Sequence, residues 1–245
     1  MTLSKSDLAI FNKFEFTAQP VGVKFLPKPP DNIEKLPEKL ALCEMLKKAQ
    51  TGNAFFTGAE NHTCGAGTYV LGQEEIPEPF ISGEYGAGLQ LYEEARTGGR
   101  LYHHVPTIRK GVVNYVAFSP LDKLSFDPDV LIILANINQT EIILRASSYR
   151  TGNMWESKCT PAIGCGWIFV YPYLTGQLNY IVTGLGHGMK RRKLFPEGMQ
   201  IISIPFDILP SMITALQEMP WVLPACKPDG LEFVSKLYAR LGITS

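Results

Sequence analysis

Several absences narrow the field before any residue is singled out. The chain has 245 residues, and Lys plus Arg equals Asp plus Glu at 23 each, so the formal net charge is zero. A global electrostatic pull on nucleic acid or on an anionic membrane is not expected. Long apolar runs are missing too. The longest, such as Val130 to Ala135, is far short of the roughly 20 residues a membrane helix needs. No targeting segment is read at Met1 to Lys13, and a soluble, cytoplasmic protein is expected. There is no Cys-x-x-Cys, which removes zinc-ribbon, thioredoxin-like and ferredoxin spacings. There is no Gly-x-x-x-x-Gly-Lys-Ser/Thr phosphate loop, no Gly-x-Gly-x-x-Gly and no Gly-x-Ser-x-Gly nucleophile elbow. Histidine is scarce, at four residues, so few side chains can titrate near neutrality.

What remains is an ordinary globular composition, 45% hydrophobic, with five cysteines. In a reducing compartment these are thiols or ligands, and an odd number fits poorly with a complete disulfide framework. Cys64 stands out among them. It lies in His62-Thr63-Cys64-Gly65-Ala66-Gly67, where Gly65 and Gly67 let the backbone bend and let a neighbour come close to the sulfur. A second bend, Gly184-Leu185-Gly186-His187-Gly188, is followed by Arg191 and Arg192. Backbone N–H groups there, with the arginines, are suited to an anion. His187 is a candidate proton carrier or ligand, though a histidine in a solvated loop reads equally well. The run Lys190 to Lys193 is read first as a solvated basic surface.

The hydrophobic pattern predicts helices over 4–14, 40–49, 68–71, 89–97, 136–149, 205–216 and 231–241. A helix over 159–173 is predicted to open on Thr160-Pro161 and end at Pro172. Strands are predicted over 21–26, 54–57, 112–118, 130–135, 179–183 and 199–204. Val130 to Ala135 reads as a strand buried on both faces. The fold class is a mixture of α and β, with a mixed sheet flanked by helices. Strands separated by helices suggest some parallel pairing. One compact domain is expected over 1–245, with a two-lobed variant jointed near 98–112. Residues 217–245 form a C-terminal extension carrying a helix. A weak echo links Asn114 to Leu124 with Gln200 to Leu209, strand then proline then turn, and Val21 to Pro27 is a distant third copy.

Five segments recur together: Pro20-Val-Gly-Val-Lys-Phe, Cys43-Glu-Met-Leu-Lys-Lys-Ala, Cys64-Gly-Ala-Gly-Thr-Tyr-Val-Leu-Gly, Pro128-Asp-Val-Leu-Ile-Ile-Leu-Ala-Asn, and Cys165 through Pro172-Tyr-x-Thr-Gly176. With them the chain, over about residues 18 to 216, resembles the prokaryotic family called domain of unknown function 169, common in anaerobes and without a settled activity. The resemblance implies that Cys43, Cys64 and Cys165 act jointly, and that a glycine-rich turn with an arginine follows. That arginine is Arg191, or Arg192 on a shifted alignment. Three thiolates suit three irons of a [4Fe–4S] cluster, with Cys159, His62 or an external group as the fourth ligand.

Three functional expectations follow. The first is an iron–sulfur or other thiolate-metal protein of anaerobic metabolism, using Cys43, Cys64, Cys165 and Cys159. The second is a metal-free protein binding a small anion through Gly65, Gly67, Gly184, Gly186, His187 and Arg191. The third is a cysteine enzyme with Cys64 as nucleophile and His62 or His187 as base. A small-molecule or redox partner is expected, with no nucleic acid and no membrane, and self-association is left open.

Overall fold

The structure is a computed structural model, described over residues 5–184 and 186–243. The predicted cap at Ser4 and the residue Leu185 lie outside the described residues. The chain opens with α1 (Lys5–Leu8) and a 3₁₀ turn, Ala9–Phe14, and then enters β1 (Val21–Leu26). Next come α2 (Leu42–Ala49), β2 (Phe55–Gly58) and α3 (Gly65–Val70). Three short helices follow, α4 (Glu78–Ile81), α5 (Glu84–Gly88) and α6 (Ala95–Gly99), before β3 (Tyr115–Pro120). The second part runs β4 (Val130–Ala135), α7 (Ile137–Ser148), a π-helical turn Gly166–Val170 continuing as α8 (Tyr171–Thr175), β5 (Asn179–Val182), α9 (His187–Arg192), β6 (Gln200–Pro205), α10 (Leu209–Glu218) and α11 (Gly230–Leu241).

The six strands form one sheet in the order β2-β3-β1-β4-β6-β5. Every strand pair is antiparallel, which corrects the expected mixed sheet. Parallel contact is confined to two isolated bridges, Lys35 with Phe56 and Leu40 with His62. The parallel expectation assumed that a helix between strands carries the chain back to the same end. The helices here do so, since β2 runs parallel to β1 and β5 to β4, but β3 and β6 are inserted between them, so every hydrogen-bonded neighbour is antiparallel and the layer is α+β.

Side-chain alternation sends the two faces of the sheet into two cores. Val21, Val23, Phe25, Val130, Ile132 and Leu134 pack with Leu42, Met45 and Leu46 of α2 and with Ile168 to Val170. Leu131, Ile133, Ala135, Ile202 and Ile204 pack on α7, α10 and the Phe11–Phe14 turn. All six residues of β4 are buried, as its unbroken apolar run requires. At roughly 1.5–3 kcal/mol per fully buried aliphatic side chain, this strand is a large part of what holds the two layers together. Leu101, Val105 and Ile108 belong to the first core, so 98–112 is not a joint between lobes.

The two halves of the sheet have the same construction. In the first, β1 lies at the centre, β2 at the edge and β3 between them. In the second, β4, β5 and β6 take those places in the same chain order. The registers coincide. Val21 to Leu26 face Pro120 to Tyr115, and Val130 to Ala135 face Pro205 to Gln200. Phe55 and Gly58 face Phe118 and Tyr115, as Asn179 and Val182 face Ser203 and Gln200. Even the exits match. Leu121 N–H donates to Pro20 O at 2.8 Å, and Phe206 N–H donates to Asp129 O at 3.0 Å. The echo noted between Asn114 and Gln200 is therefore real as β3 against β6. Val21 to Pro27 is not a third copy, because β1 answers to β4.

Two helical expectations need correction. No helix spans 89–97. The glycine cluster itself forms α5, and α6 begins only at Ala95. These helices cross where Gly83 and Gly98 leave no room for side chains; a Cβ on Gly83 would lie 2.0 Å from Ala95 O. The helix near Cys165 starts at residue 164, not at Thr160, and continues through Pro172 to Thr175. Pro172 has no N–H to give the carbonyl four residues back. The π turn lies directly upstream, where Tyr171 N–H reaches Gly166 O.

Candidate functional site

On one face of the sheet, α2, α3, the helix at 164–175 and α9 come together. Cys43 is the second residue of α2, and Cys165 is the second residue of the helix starting at 164. Cys64 is the N-terminal flanking residue of α3, and Gly186 holds that place on α9. The Cys165 thiol sits 3.8 Å from Ala66 O, next to the Cys64 bend. Arg192 reaches from α9 to Glu44 of α2 at 3.6 Å and donates to Gly188 O at 3.2 Å.

Three of the thiols are within electrostatic reach, Cys64 acting on both Cys43 and Cys165. Burial pushes the Cys43 thiol up to about 11; Arg192 opposes this, while Cys64 and Glu44 add to it. Burial raises Cys165 further, and Cys64 and then Cys43 add to the rise. Cys159 stands apart. Burial raises it, no other cysteine contributes, and its thiol donates to Thr160 O at 3.4 Å. Cys226 is exposed in the Pro224–Cys226 turn.

A cavity of about 350 Å³ opens over this junction. Thr63, Cys64, Gly65 and Ala66 line it, together with His187, Gly188, Arg191 and Arg192. The roof is the α4–α6 segment with the turn after it, which supplies Phe80, Tyr85, Tyr92, Leu101 and Tyr102. Burial, with the neighbouring Tyr69, Tyr92 and Tyr85, pushes the Tyr102 hydroxyl up to about 12, so it remains a neutral donor at physiological pH. Volume, apolar roof and few polar groups suit a small organic ligand. A wider groove of about 610 Å³ near Asn12 and Asp127 gathers none of the candidate residues.

Of the residues read from sequence, Cys64, Gly65, His187 and Arg191 line the cavity. Cys43 and Cys165 are not part of its lining. Gly67 serves packing, since a Cβ there would lie 3.1 Å from both His62 Nδ1 and Leu42 Cβ. Gly186 is buried against Met189. Gly184, at φ +85°, faces a separate cavity with Lys190 and Glu197. His62 does not line the cavity. Both its ring nitrogens are buried without a partner, and burial holds its pKa down to about 4, against the pull of Glu74 and Glu60. The tyrosine roof was missed. Its signal was three of the ten tyrosines within 85–102, beside glycines.

Three sulfurs are the soft donors that a thiolate-bound metal needs. Among the described residues, however, no three His, Cys, Asp or Glu side chains are gathered so as to hold a metal ion. The fourth ligand drawn from the sequence, Cys159, is outside the group. The ligand set for an iron–sulfur cluster is incomplete as it stands, and no chemistry is derived through one.

These features define an α+β protein built from two similar half-sheets, with a half-open cavity lined by residues of both halves, Cys64 among them. The chain belongs to the DUF169 family, described as uncharacterised ArCR, whose model matches residues 9–215. No curated protein and no solved structure matches it. No helix among the described residues is long and apolar enough to cross a membrane.

Proposed function

We propose that the protein binds a small organic oxyanion in the cavity above Cys64, with an apolar or aromatic body under the tyrosine roof. The observation that carries this is the make-up of the lining. Arg191 and His187 supply polar and cationic groups, and Phe80, Tyr85, Tyr92 and Leu101 supply apolar surface. Arg191 is exposed and has no hydrogen bond or ion pair among the described residues, so its planar fork is available to a carboxylate or phosphate. Arg192 is already engaged by Glu44 and Gly188 O, and it braces the wall.

The test is titration with benzoate, phenyl phosphate and inorganic phosphate, followed by calorimetry and by protection of Cys64 from iodoacetamide. Benzoate or phenyl phosphate should bind, slow the alkylation, and lose about tenfold in affinity in Arg191→Ala. No binding and no protection by any of the three would overturn the reading. Benzoate and phenyl phosphate, compared at equal body size, separate a carboxylate site from a phosphate site.

A second reading, the thiolate-metal protein, is favoured by the proximity of Cys43, Cys64 and Cys165. It requires the sulfurs to draw together on metal uptake. Purification without oxygen should then give a brown protein absorbing near 400 nm, with about four irons per chain. A colourless, iron-free preparation ends this reading.

A further inference from the structure

The C-terminal part of the chain does not share the packing of the rest. The family match ends at residue 215, and α11 lies beyond it. Val234, Leu237 and Leu241 recur at helical spacing on one face of α11, flanked by Leu231 and Tyr238. Glu232, Ser235, Lys236 and Ala239 take the opposite face. Yet no residue from 231 to 241 is buried; Leu231 is 86% exposed and Leu241 58%. The main neighbour of α11 is its own Pro224–Cys226 turn. Gly230 is held so close to that turn that a Cβ would lie 2.1 Å from Ala225 O. This contact fixes the direction of the helix and leaves its apolar face uncovered among the described residues. A helix of 12 residues is marginal in water on propensity alone and relies on packing of that face. With Val222 and Leu223 exposed just before the turn, the apolar surface amounts to roughly 600 Å². That is at the upper end of what a monomer shows, and it approaches the ~800 Å² that each partner of a standard interface buries.

We infer that α11 pairs with α11 of a second copy of this chain, antiparallel about a two-fold axis near Val234. The charges select a copy of itself and that direction. Asp229 stands at the start of the helix and Arg240 near its end, about three turns apart and so on the same flank of the apolar face. Neither has an ion pair among the described residues, whereas Glu232 and Lys236 are already paired with each other. Antiparallel pairing sets Asp229 of each copy against Arg240 of the other, and Leu231 against Tyr238 on the other flank. Val234 meets its own counterpart at the axis. Leu237 and Leu241 alternate along the seam with Val234 and Gly230 of the second copy. Leu241 overruns that Gly230 toward the turn where Val222 and Leu223 are exposed. The helix dipoles oppose as well. A parallel pair would instead bring Arg240 against Arg240. The contact uses the same patch on both copies and closes on itself. Since α11 supplies no residue to the cavity at Cys64, the inference is independent of the oxyanion reading.

The test is sedimentation velocity of the full chain at micromolar concentration, where wild type should form a reversible dimer. Leu231→Asp combined with Leu241→Asp should abolish the dimer and leave a monomer that circular dichroism shows to be folded. At low ionic strength Asp229→Lys and Arg240→Glu should each loosen the dimer about tenfold, because each sets like charges against one another. The two together should return it to within about threefold of wild type. The runs are repeated with phosphatidylglycerol vesicles, the other surface that covers an amphipathic helix. A monomeric wild type, whether free or carried down by the vesicles, overturns the inference. So does a dimer that survives the paired Asp substitutions, a single charge variant as tight as wild type, or a double variant no tighter than the singles.

Discussion

The two half-sheets have the same ladder registers and differ in what hangs from them. Between α3 and β3 the first half carries the α4–α6 roof. Between α9 and β6 the second half has only a short connection. The second half instead places α7 between β4 and the helix at 164, on the opposite face of the sheet. The lesson is that a shared frame fixes where a site can be, and insertions decide which side of it is covered. The cavity has its roof from one half only, and its walls from both.

The comparison breaks most visibly in the cores. If Leu42, against Gly67, and Met189, against Gly164, are equivalent fillers, Leu42→Ala and Met189→Ala should each cost about 2–5 kcal/mol in urea unfolding. Both residues are buried, at 1% and 6% exposure. A large loss at one site and none at the other would mean that the halves are not built alike.

A smaller effect separates the halves by pH. His62 lies in the first half only, and the place corresponding to it in the second is Gly184. Its folded pKa of about 4 is below the ordinary 6.5, so the unfolded chain binds the proton more readily between those values. The neutral ring's contribution is full above pH 6.5 and is lost as pH falls toward 4, about 3 kcal/mol in all. The melting temperature should drop between pH 7 and pH 5 in the wild type and drop less in His62→Phe. An unchanged slope in the variant would remove His62 as the cause.

The smallest effect concerns α7, which has no part in the correspondence. Asn136 and Gln139 cap it reciprocally, each side chain accepting the other's backbone N–H at 2.9 Å. Asn136→Ala should cost about 1 kcal/mol. Cys64 alkylation should keep its wild-type rate. A changed rate would tie α7 to the site.

Much of this architecture could be read from the chain. β1 and β4 were bounded to the residue, because Val21 to Leu26 alternates and Val130 to Ala135 does not. Cys64, Gly65, His187 and Arg191, drawn from two distant glycine bends, do line one cavity. Strand direction was not legible, since hydrophobic period says which face is buried and nothing about which neighbour is chosen. The helix at 89–97 failed because its apolar spacing belongs to the roof, where tight glycine crossings outweigh propensity. The correspondence of the halves was hidden for a related reason. Sizes are exchanged between Leu42–Gly67 and Gly164–Met189, so aligned residues look unrelated while the summed volume is preserved.

The seam between the halves is the narrowest part of the sheet. β1 and β4 share three residue pairs, Val21 to Val23 with Ile132 to Val130, where each has six with its outer neighbour. Few interstrand amides bridge the centre, and the sheet's cooperativity there rests on side chains above and below it. Slow amide exchange should therefore concentrate in the β1–β3 and β4–β6 ladders. A rare opening that parts the molecule between β1 and β4 would bring water to Val23 and Ile132 on one face and Leu131 on the other, making the central seam the route by which solvent reaches both cores at once.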